Sequence, residues 1–135
     1  MRVFLDANVL FSAAKAGSSV ARLVGVLTDG SDAVTSPLAV LEARRNLSEK
    51  KPGWLPEFDG MLVRVILVPE ASVPLAVELV AKDRPILEAA VNAACTHFVT
   101  SDRRHFGHLY GQIVHGVKVV SLVGMAEDLA RSGRL

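Results

Sequence analysis

Short apolar runs alternate along the chain with segments of helical periodicity. The runs that predict strands are mostly apolar, as buried strands require, and lie at residues 3–5, 33–35, 65–68, 97–100 and 117–120. Between these runs, apolar side chains recur at helical spacing, as at Val20, Leu23, Val24 and Leu27. This alternation predicts an α/β fold, a three-layer α/β/α sandwich around a central, mainly parallel sheet of four to five strands.

Capping residues mark where the predicted helices begin. Ser36 and Pro37 are residue types preferred at the N-cap and at the first helical position, and this helix is expected to run to about Leu47. Further helices are predicted over residues 54–65, 73–80, 83–94 and from 121 onward. Because the sequence contains neither a repeat nor a Gly/Ser linker, residues 1–135 are expected to form a single domain.

Composition supports a globular protein. Half of the 135 residues are hydrophobic, which is enough to bury a core and excludes intrinsic disorder. The single cysteine, Cys95, excludes an intramolecular disulfide and fits a reducing compartment. No apolar run approaches the length of a membrane span, and Asp6 and Asn8 interrupt the apolar start in a way unlike a signal peptide. The expected location is the cytoplasm.

Acidic residues follow or approach the ends of several predicted strands. Asp6 and Asp102 come directly after strands, and Asp83 begins a helix that leads into the strand before Asp102. Glu42 lies five residues past Pro37, roughly 7 Å along its helix, so its side chain can reach back to the same edge. Ligands of parallel sheets bind at the carboxyl ends of the strands. We therefore expect the four carboxylates to meet in one cleft.

Each acid also has an ordinary interpretation. Asp83 could cap a helix, Glu42 could be solvated, and Asp102 could belong to a turn. Asp6 is different, because a charge amid an apolar stretch usually has a partner or a metal. Four neighbouring carboxylates repel one another, and Mg²⁺ or Mn²⁺ would neutralise them. Two such ions can stabilise the attacking and leaving oxygens of a phosphodiester while water hydrolyses it.

Four segments together resemble the motifs of PIN-domain nucleases, in the same order: residues 3–10 (VFLDANVL), 36–42 (SPLAVLE), 83–90 (DRPILEAA) and 98–102 (FVTSD). The intervals between their acids are 36, 41 and 19 residues. The chain is similar to the VapC-like toxin components of toxin–antitoxin pairs. The resemblance implies a Mg²⁺- or Mn²⁺-dependent endoribonuclease, an RNA substrate, a homodimer and an antitoxin partner.

The resemblance also implies roles for individual residues. It assigns the catalytic, metal-binding positions to four acids: Asp6, Glu42, Asp83 and Asp102. It assigns support of the site, through hydrogen bonds to ligands, water or phosphate, to a second group: Asn8, Ser36, Thr100, Ser101 and Arg103. Toxin-type relatives carry a further acid shortly after the fourth motif, where this chain has residues 103–106 (RRHF). His105 could help bind phosphate, but we expect a surface histidine.

The proposed acidic site also changes what the net charge of the chain implies. The net charge of +1, from 15 basic and 14 acidic residues, argues against a nucleic-acid ligand. Without the four proposed site acids, 10 acids remain against 15 bases, which leaves a basic surround. Two basic clusters could flank the cleft and hold phosphates, or be ordinary solvated charge: Arg44, Arg45, Lys50 and Lys51, and then Arg103, Arg104, His105 and His108.

Two other functions fit the same residues. One is a PIN-like module that binds RNA or a protein without cutting it. The other is an aspartate-based phosphotransfer domain with Asp6 as the nucleophile, although the segment Asp6-Ala7-Asn8 lacks a second aspartate two residues on. The presence of all four acids favours the nuclease.

Overall fold

Six strands form one sheet in the computed structural model, which describes residues 1–30 and 32–135. The strands are β1 (Val3–Leu5), β2 (Ala33–Thr35), β3 (Ile66–Leu67), β4 (His97–Val99), β5 (Ile113–Val114) and β6 (Val117–Val120). Their order across the sheet is β3-β2-β1-β4-β6-β5, and every neighbouring pair is parallel except β5 with β6. The predicted α/β architecture around a mainly parallel sheet is therefore confirmed.

The α-helices of the described residues are α1 (Ala7–Ala13), α2 (Ser19–Asp29), α3 (Pro37–Lys50), α4 (Leu55–Leu62), α5 (Arg84–Asn92), α6 (Arg103–Phe106) and α7 (Leu122–Arg131). Short 3₁₀ turns follow at Pro52–Trp54 and Gly107–Leu109. Serine side chains cap three of the helices, as Ser36 does by accepting a hydrogen bond from the Ala39 amide at the start of α3. Helix α3 is one turn longer than predicted.

The sheet has one strand more than the four to five predicted, because β5 was not expected from the sequence. Strands β5 and β6 form a hairpin whose two turn residues, His115 and Gly116, have positive φ angles of 48° and 86°. Such turns usually contain Asn-Gly or Asp-Gly, so His-Gly gives a weak signal. A two-residue strand is also too short to show alternation.

The helix predicted over residues 73–80 is wrong. This segment is irregular and extended, with half-buried odd-numbered positions alternating with exposed even-numbered ones. The segment is instead attached to α5, because the Val73 amide donates to Glu88 and Arg84 donates to the carbonyls of Leu75 and Val77.

Side chains of alternate residues in the sheet show which helices cover each face. His97 and Lys118 both contact Asp128 of α7. Phe98, the next residue, points the other way and packs against Phe106 of α6, with ring centroids 5.1 Å apart. The two outer layers are therefore represented by α7 on one face and α6 on the other.

The order of the strands places a crevice between β1 and β4. Connections from β1 to β2 and from β2 to β3 run in one direction across the sheet, whereas the connection from β3 to β4 runs in the opposite direction. Right-handed crossovers then place α2, α3 and α4 on one face and α5 on the other. Ligands of open α/β sheets bind at such a reversal, outside the carboxyl ends of the strands.

The core is rich in aliphatic and aromatic side chains. Phe4 stacks on Phe98 across β1 and β4, with ring centroids 5.5 Å apart. Cys95 is also buried, and burial raises the pKa of its thiol to about 11, as expected for a small apolar core residue. None of the helices in residues 1–30 and 32–135 is long and apolar enough to cross a membrane.

Candidate active site

Asp6 occupies the carboxyl end of β1 and the N-cap of α1. Its Oδ1 atom accepts a hydrogen bond of 2.7 Å from the Ala7 amide. Its Oδ2 atom accepts from the Thr100 hydroxyl at 2.8 Å and from the Asn8 side-chain amide at 3.0 Å. Burial raises the pKa of Asp6 to about 6 despite these hydrogen bonds, and the nearby Glu42 charge adds to the rise.

Asn8 joins the ends of β1 and β4. Its Oδ1 atom accepts hydrogen bonds from the Ser101 amide and hydroxyl, at 2.9 and 3.0 Å. Thr100 makes a parallel connection, because its hydroxyl also accepts from the Asp102 amide at 3.1 Å. These three side chains fix the segment after β4 against Asp6.

Glu42 reaches the site from α3. Ala39, Ala43 and Leu47 are fully buried, and this packing sets the rotation of the helix. Glu42 is left half-buried at its edge. Asn46, one turn further on, lines the same space. The i, i+4 relation to Glu42 is the sequence signal by which Asn46 could have been identified.

Asp83 and Asp102 precede helices on opposite sides of β4 in the chain but differ in what their side chains do. Asp83 occupies the N-cap position of α5, but its side chain accepts no capping hydrogen bond from the amides of the helix. Asp102 does cap α6, because its Oδ1 atom accepts from the His105 amide at 3.1 Å. Asp102 is therefore a helix N-cap and not a turn residue, and its Oδ2 atom takes no part in the cap.

His105 lies between these two acids, so the expectation of a surface histidine is wrong. Its Nδ1 atom is 2.8 Å from Asp83 Oδ2 and 3.0 Å from Asp102 Oδ2. The next residue of α6, Phe106, is buried against Phe98, and this packing fixes the orientation of the short helix. One ligand atom from each of Asp83, Asp102 and His105 lies within 4.8 Å of the other two, so this group could hold a metal ion.

A cleft of about 310 Å³ gathers the acids from their separate segments. It is lined by Asp6, Ala7, Asn8, Glu42, Asn46, Lys82, Asp83, Ser101 and Asp102. Three predicted support residues do not line it. Ser36 and Thr100 are buried behind it, and Arg103 is exposed at the start of α6.

The first predicted basic cluster is oriented mainly toward α4 and the turn before it. Arg44 is 2.9 Å from Asp59 and lies over the ring of Phe58, and Lys51 lies over Trp54. Lys82, which was not singled out in the sequence, lines the cleft directly. Its position next to Asp83 was the available signal.

The donor set fits a hard divalent cation. Carboxylate and amide oxygens dominate the lining, and ions such as Mg²⁺ and Mn²⁺ prefer oxygen ligands. Within the described part of the chain, Asp83 Oδ2 is buried without a hydrogen-bond partner. A buried carboxylate oxygen in that condition is costly unless a cation or a proton compensates it. Asp6, Glu42, Asp83 and Asp102 are the carboxylates that could bind such an ion.

Comparisons with known proteins support the fold. No family model matches the sequence, and no curated protein matches it. The structure is similar to a chain in the crystal structure of VapBC2 from Rickettsia felis bound to a DNA fragment from their promoter. The TM-score is 0.64 at 15% sequence identity, and the match covers 90% of this chain and 98% of the other. The PIN-like fold implied by the sequence motifs is thereby confirmed.

Proposed function

We propose that this protein is a Mg²⁺- or Mn²⁺-dependent endoribonuclease that hydrolyses RNA phosphodiester bonds. The observation that carries the proposal is the convergence of four carboxylates, from four separate segments, at the reversal point of a PIN-like sheet. Such a cleft is suited to polyanion hydrolysis only when cations neutralise it. A divalent ion bound there would activate water for attack on phosphorus and stabilise the charge that develops on the phosphate.

The chain's own residues divide the remaining tasks. Asp6, Glu42, Asp83 and Asp102 would hold the ion. The network of Asn8, Thr100 and Ser101 keeps Asp6 and Asp102 in fixed relative positions, which lowers the cost of assembling the site around substrate. Lys82 lines the cleft and would contact a phosphate, and the exposed Arg103 would contact the RNA backbone beside it.

We further propose that the nuclease is the toxin of a toxin–antitoxin pair, acting in the cytoplasm as a single domain and a homodimer. The support is the structural similarity to a chain of VapBC2, together with the resemblance of the sequence motifs to those of VapC-like toxins. An antitoxin would inhibit cleavage by covering the cleft. Co-purification of a protein encoded by the adjacent gene, together with inhibition by it, would test this part of the proposal.

The nuclease itself is tested by cleavage of a single-stranded RNA with purified protein free of any antitoxin. Wild type should cut with Mg²⁺ or Mn²⁺ and lose activity with a chelator. Asp6→Asn and Asp102→Asn should each lower the rate at least about a thousandfold, because each removes a carboxylate that would hold the ion. Asp59→Asn, which changes an exposed acid outside the cleft, is the matched control.

The two alternative functions give different results. An unmodified RNA that binds to wild type but stays intact with either metal would indicate a non-catalytic module. Radiolabel retained on Asp6 after incubation with a phosphodonor would indicate phosphotransfer instead. Equal activity of Asp6→Asn and wild type would contradict the nuclease proposal.

A further inference from the structure

The contact between Asp83 and His105 is close but is not a hydrogen bond. Asp83 is 9% exposed, and among the described residues neither its Oδ2 atom nor His105 Nδ1 has a partner in hydrogen-bond geometry. The two atoms are nevertheless 2.8 Å apart, and Asp102 Oδ2 is 3.0 Å from the same nitrogen. Three groups that donate electron pairs therefore approach one another closely.

This arrangement needs a positive charge between its members. A neutral imidazole that presents the Nδ1 lone pair to two carboxylates is repelled by both. A protonated imidazole would be attracted to both carboxylates, but neither oxygen lies where an Nδ1–H hydrogen bond would place it. A cation that binds all three atoms relieves it without requiring that alignment.

The distances between these ligand atoms match octahedral coordination better than tetrahedral coordination. Neighbouring ligand atoms about 2.1 Å from an octahedral ion are about 3.0 Å apart. Around a tetrahedral ion at the same distance they are about 3.4 Å apart. The observed 2.8 and 3.0 Å therefore favour a six-coordinate ion, whose remaining positions are open to the other cleft carboxylates, water or substrate oxygens.

The first turn of α6 holds the side chains of Asp102 and His105 in place. The Asp102 side chain caps the helix by accepting from the amide of His105, so the two residues share one rigid turn. Phe106 anchors this turn by packing on Phe98. Ligands positioned by a helix turn and a buried ring lose little freedom when an ion binds.

We infer that His105 is a direct nitrogen ligand, through Nδ1, of a divalent ion shared with Asp83 and Asp102. Imidazole nitrogen binds first-row transition ions better than it binds Mg²⁺, so the site selects Mn²⁺ over Mg²⁺. This inference deepens the proposed function and rests on it for the use of the ion, but metal binding can be measured without RNA.

The experiment is pulsed electron paramagnetic resonance of Mn²⁺ added to metal-free protein labelled with ¹⁵N at histidine. Four histidines are present, so variants assign the signal. Wild type should show the coupling of a directly bound histidine nitrogen, His105→Gln should lose it, and His108→Gln should keep it. Titration calorimetry should show Mn²⁺ binding weakened at least about tenfold in His105→Gln, with Mg²⁺ binding changed much less.

His105→Asp is the second variant, because it restores a ligand while replacing nitrogen with oxygen. It should bind both ions, lack the nitrogen coupling and lose the preference for Mn²⁺. Circular dichroism establishes that each variant is folded. Absence of nitrogen coupling in wild type with bound Mn²⁺, absence of Mn²⁺ binding, or an unchanged signal in His105→Gln would each overturn the inference.

Failure of this inference is distinguishable from failure of the proposed nuclease. RNA cleavage that depends on Asp6, without nitrogen coupling, would leave the nuclease standing and remove His105 from the ion. Nitrogen coupling assigned to His105, without RNA cleavage, would establish the ligand and contradict the nuclease.

Discussion

Two sites in this protein hold acidic side chains that are partly or largely buried. At one site neighbouring basic residues neutralise the negative charge, whereas at the other the negative charge is in excess. On one face, Asp128 of α7 is 12% exposed and is surrounded by His97, Lys118 and Arg131. Burial disfavours its charge, but hydrogen bonds from Arg131, Lys118 and His97 outweigh burial and hold the pKa of Asp128 well below its usual range. In the cleft, four acids share the lining with Lys82.

The comparison separates a structural charge from a functional one. The Asp128 cluster is complete without any ligand and attaches α7 to β4 and β6. The cleft has excess negative charge, and burial raises the pKa of Asp6 to about 6. Groups with such perturbed ionisation in a cleft are candidates for function, whereas a neutralised cluster indicates stability.

The largest expected difference between the two regions is in catalysis. Asp83→Asn should lower RNA cleavage at least about a thousandfold, or about 4 kcal/mol in activation free energy, because it removes a carboxylate that would hold the ion. Asp128→Asn should leave the rate per folded molecule unchanged, because Asp128 lies outside the cleft. Single-turnover rates at saturating Mg²⁺ measure both, and equal losses would remove the distinction.

The next effect is the pH dependence of stability without metal. The unfolded chain releases the Asp6 proton near pH 4, whereas the folded chain keeps it until about pH 6. The folded state therefore binds more protons between these values, and its stability falls as pH rises, by at most about 3 kcal/mol. Asp6→Asn should lack this fall. Urea unfolding at pH 4 to 7.5 with a chelator measures it, and parallel curves for both proteins would contradict it.

Metal binding should stabilise the folded protein only when the carboxylates of the cleft are intact. An ion at a hundred times its dissociation constant raises the free energy of unfolding by about 2.7 kcal/mol. Mn²⁺ should therefore raise the melting temperature of wild type and Asp128→Asn, but have much less effect on Asp83→Asn. Calorimetric melting with and without Mn²⁺ tests this. A full shift in Asp83→Asn would place the ion elsewhere.

The smallest expected effect is the loss of folding stability when the Asp128 cluster is disrupted. Asp128→Asn should destabilise the fold by about 2 kcal/mol near neutral pH, because it removes hydrogen bonds to a charged acceptor. A lowered folded pKa gives stability that is present above the usual aspartate range and lost as pH falls. The gap between the variant and wild type should therefore narrow below about pH 4 in denaturant titrations. A gap that widens there would contradict this assignment.

Much of the fold could be predicted because its signals are local. The strands ending at Leu5, Thr35 and Val120 are short apolar runs, and Ser36 and Ser121 begin helices in the expected way. The segment before Asp83 departs from the predicted helix because its backbone amides and carbonyls bond to side chains of α5 instead of to one another. Local spacing of Val73 and Val77 mimicked a helix.

The candidate site could be predicted only in part, because local sequence identifies some of its residues and tertiary packing alone identifies the others. Asp6 stood out, because a charge within an apolar run needs compensation. His105 did not, because its position depends on how α6 packs on Phe98 rather than on neighbouring residues. Lys82 was also missed, because its role depends on the cleft formed by other segments.

The reversal of strand order between β1 and β4 has a mechanical consequence. Glu42 reaches the cleft from α3 on one face of the sheet, whereas Asp83 reaches it from α5 on the other. An ion bound by both acids would act as a clasp across the rim of the sandwich. Loading the ion would then slow the breathing of both outer layers at once, and hydrogen exchange in α3 and α5 would slow in step.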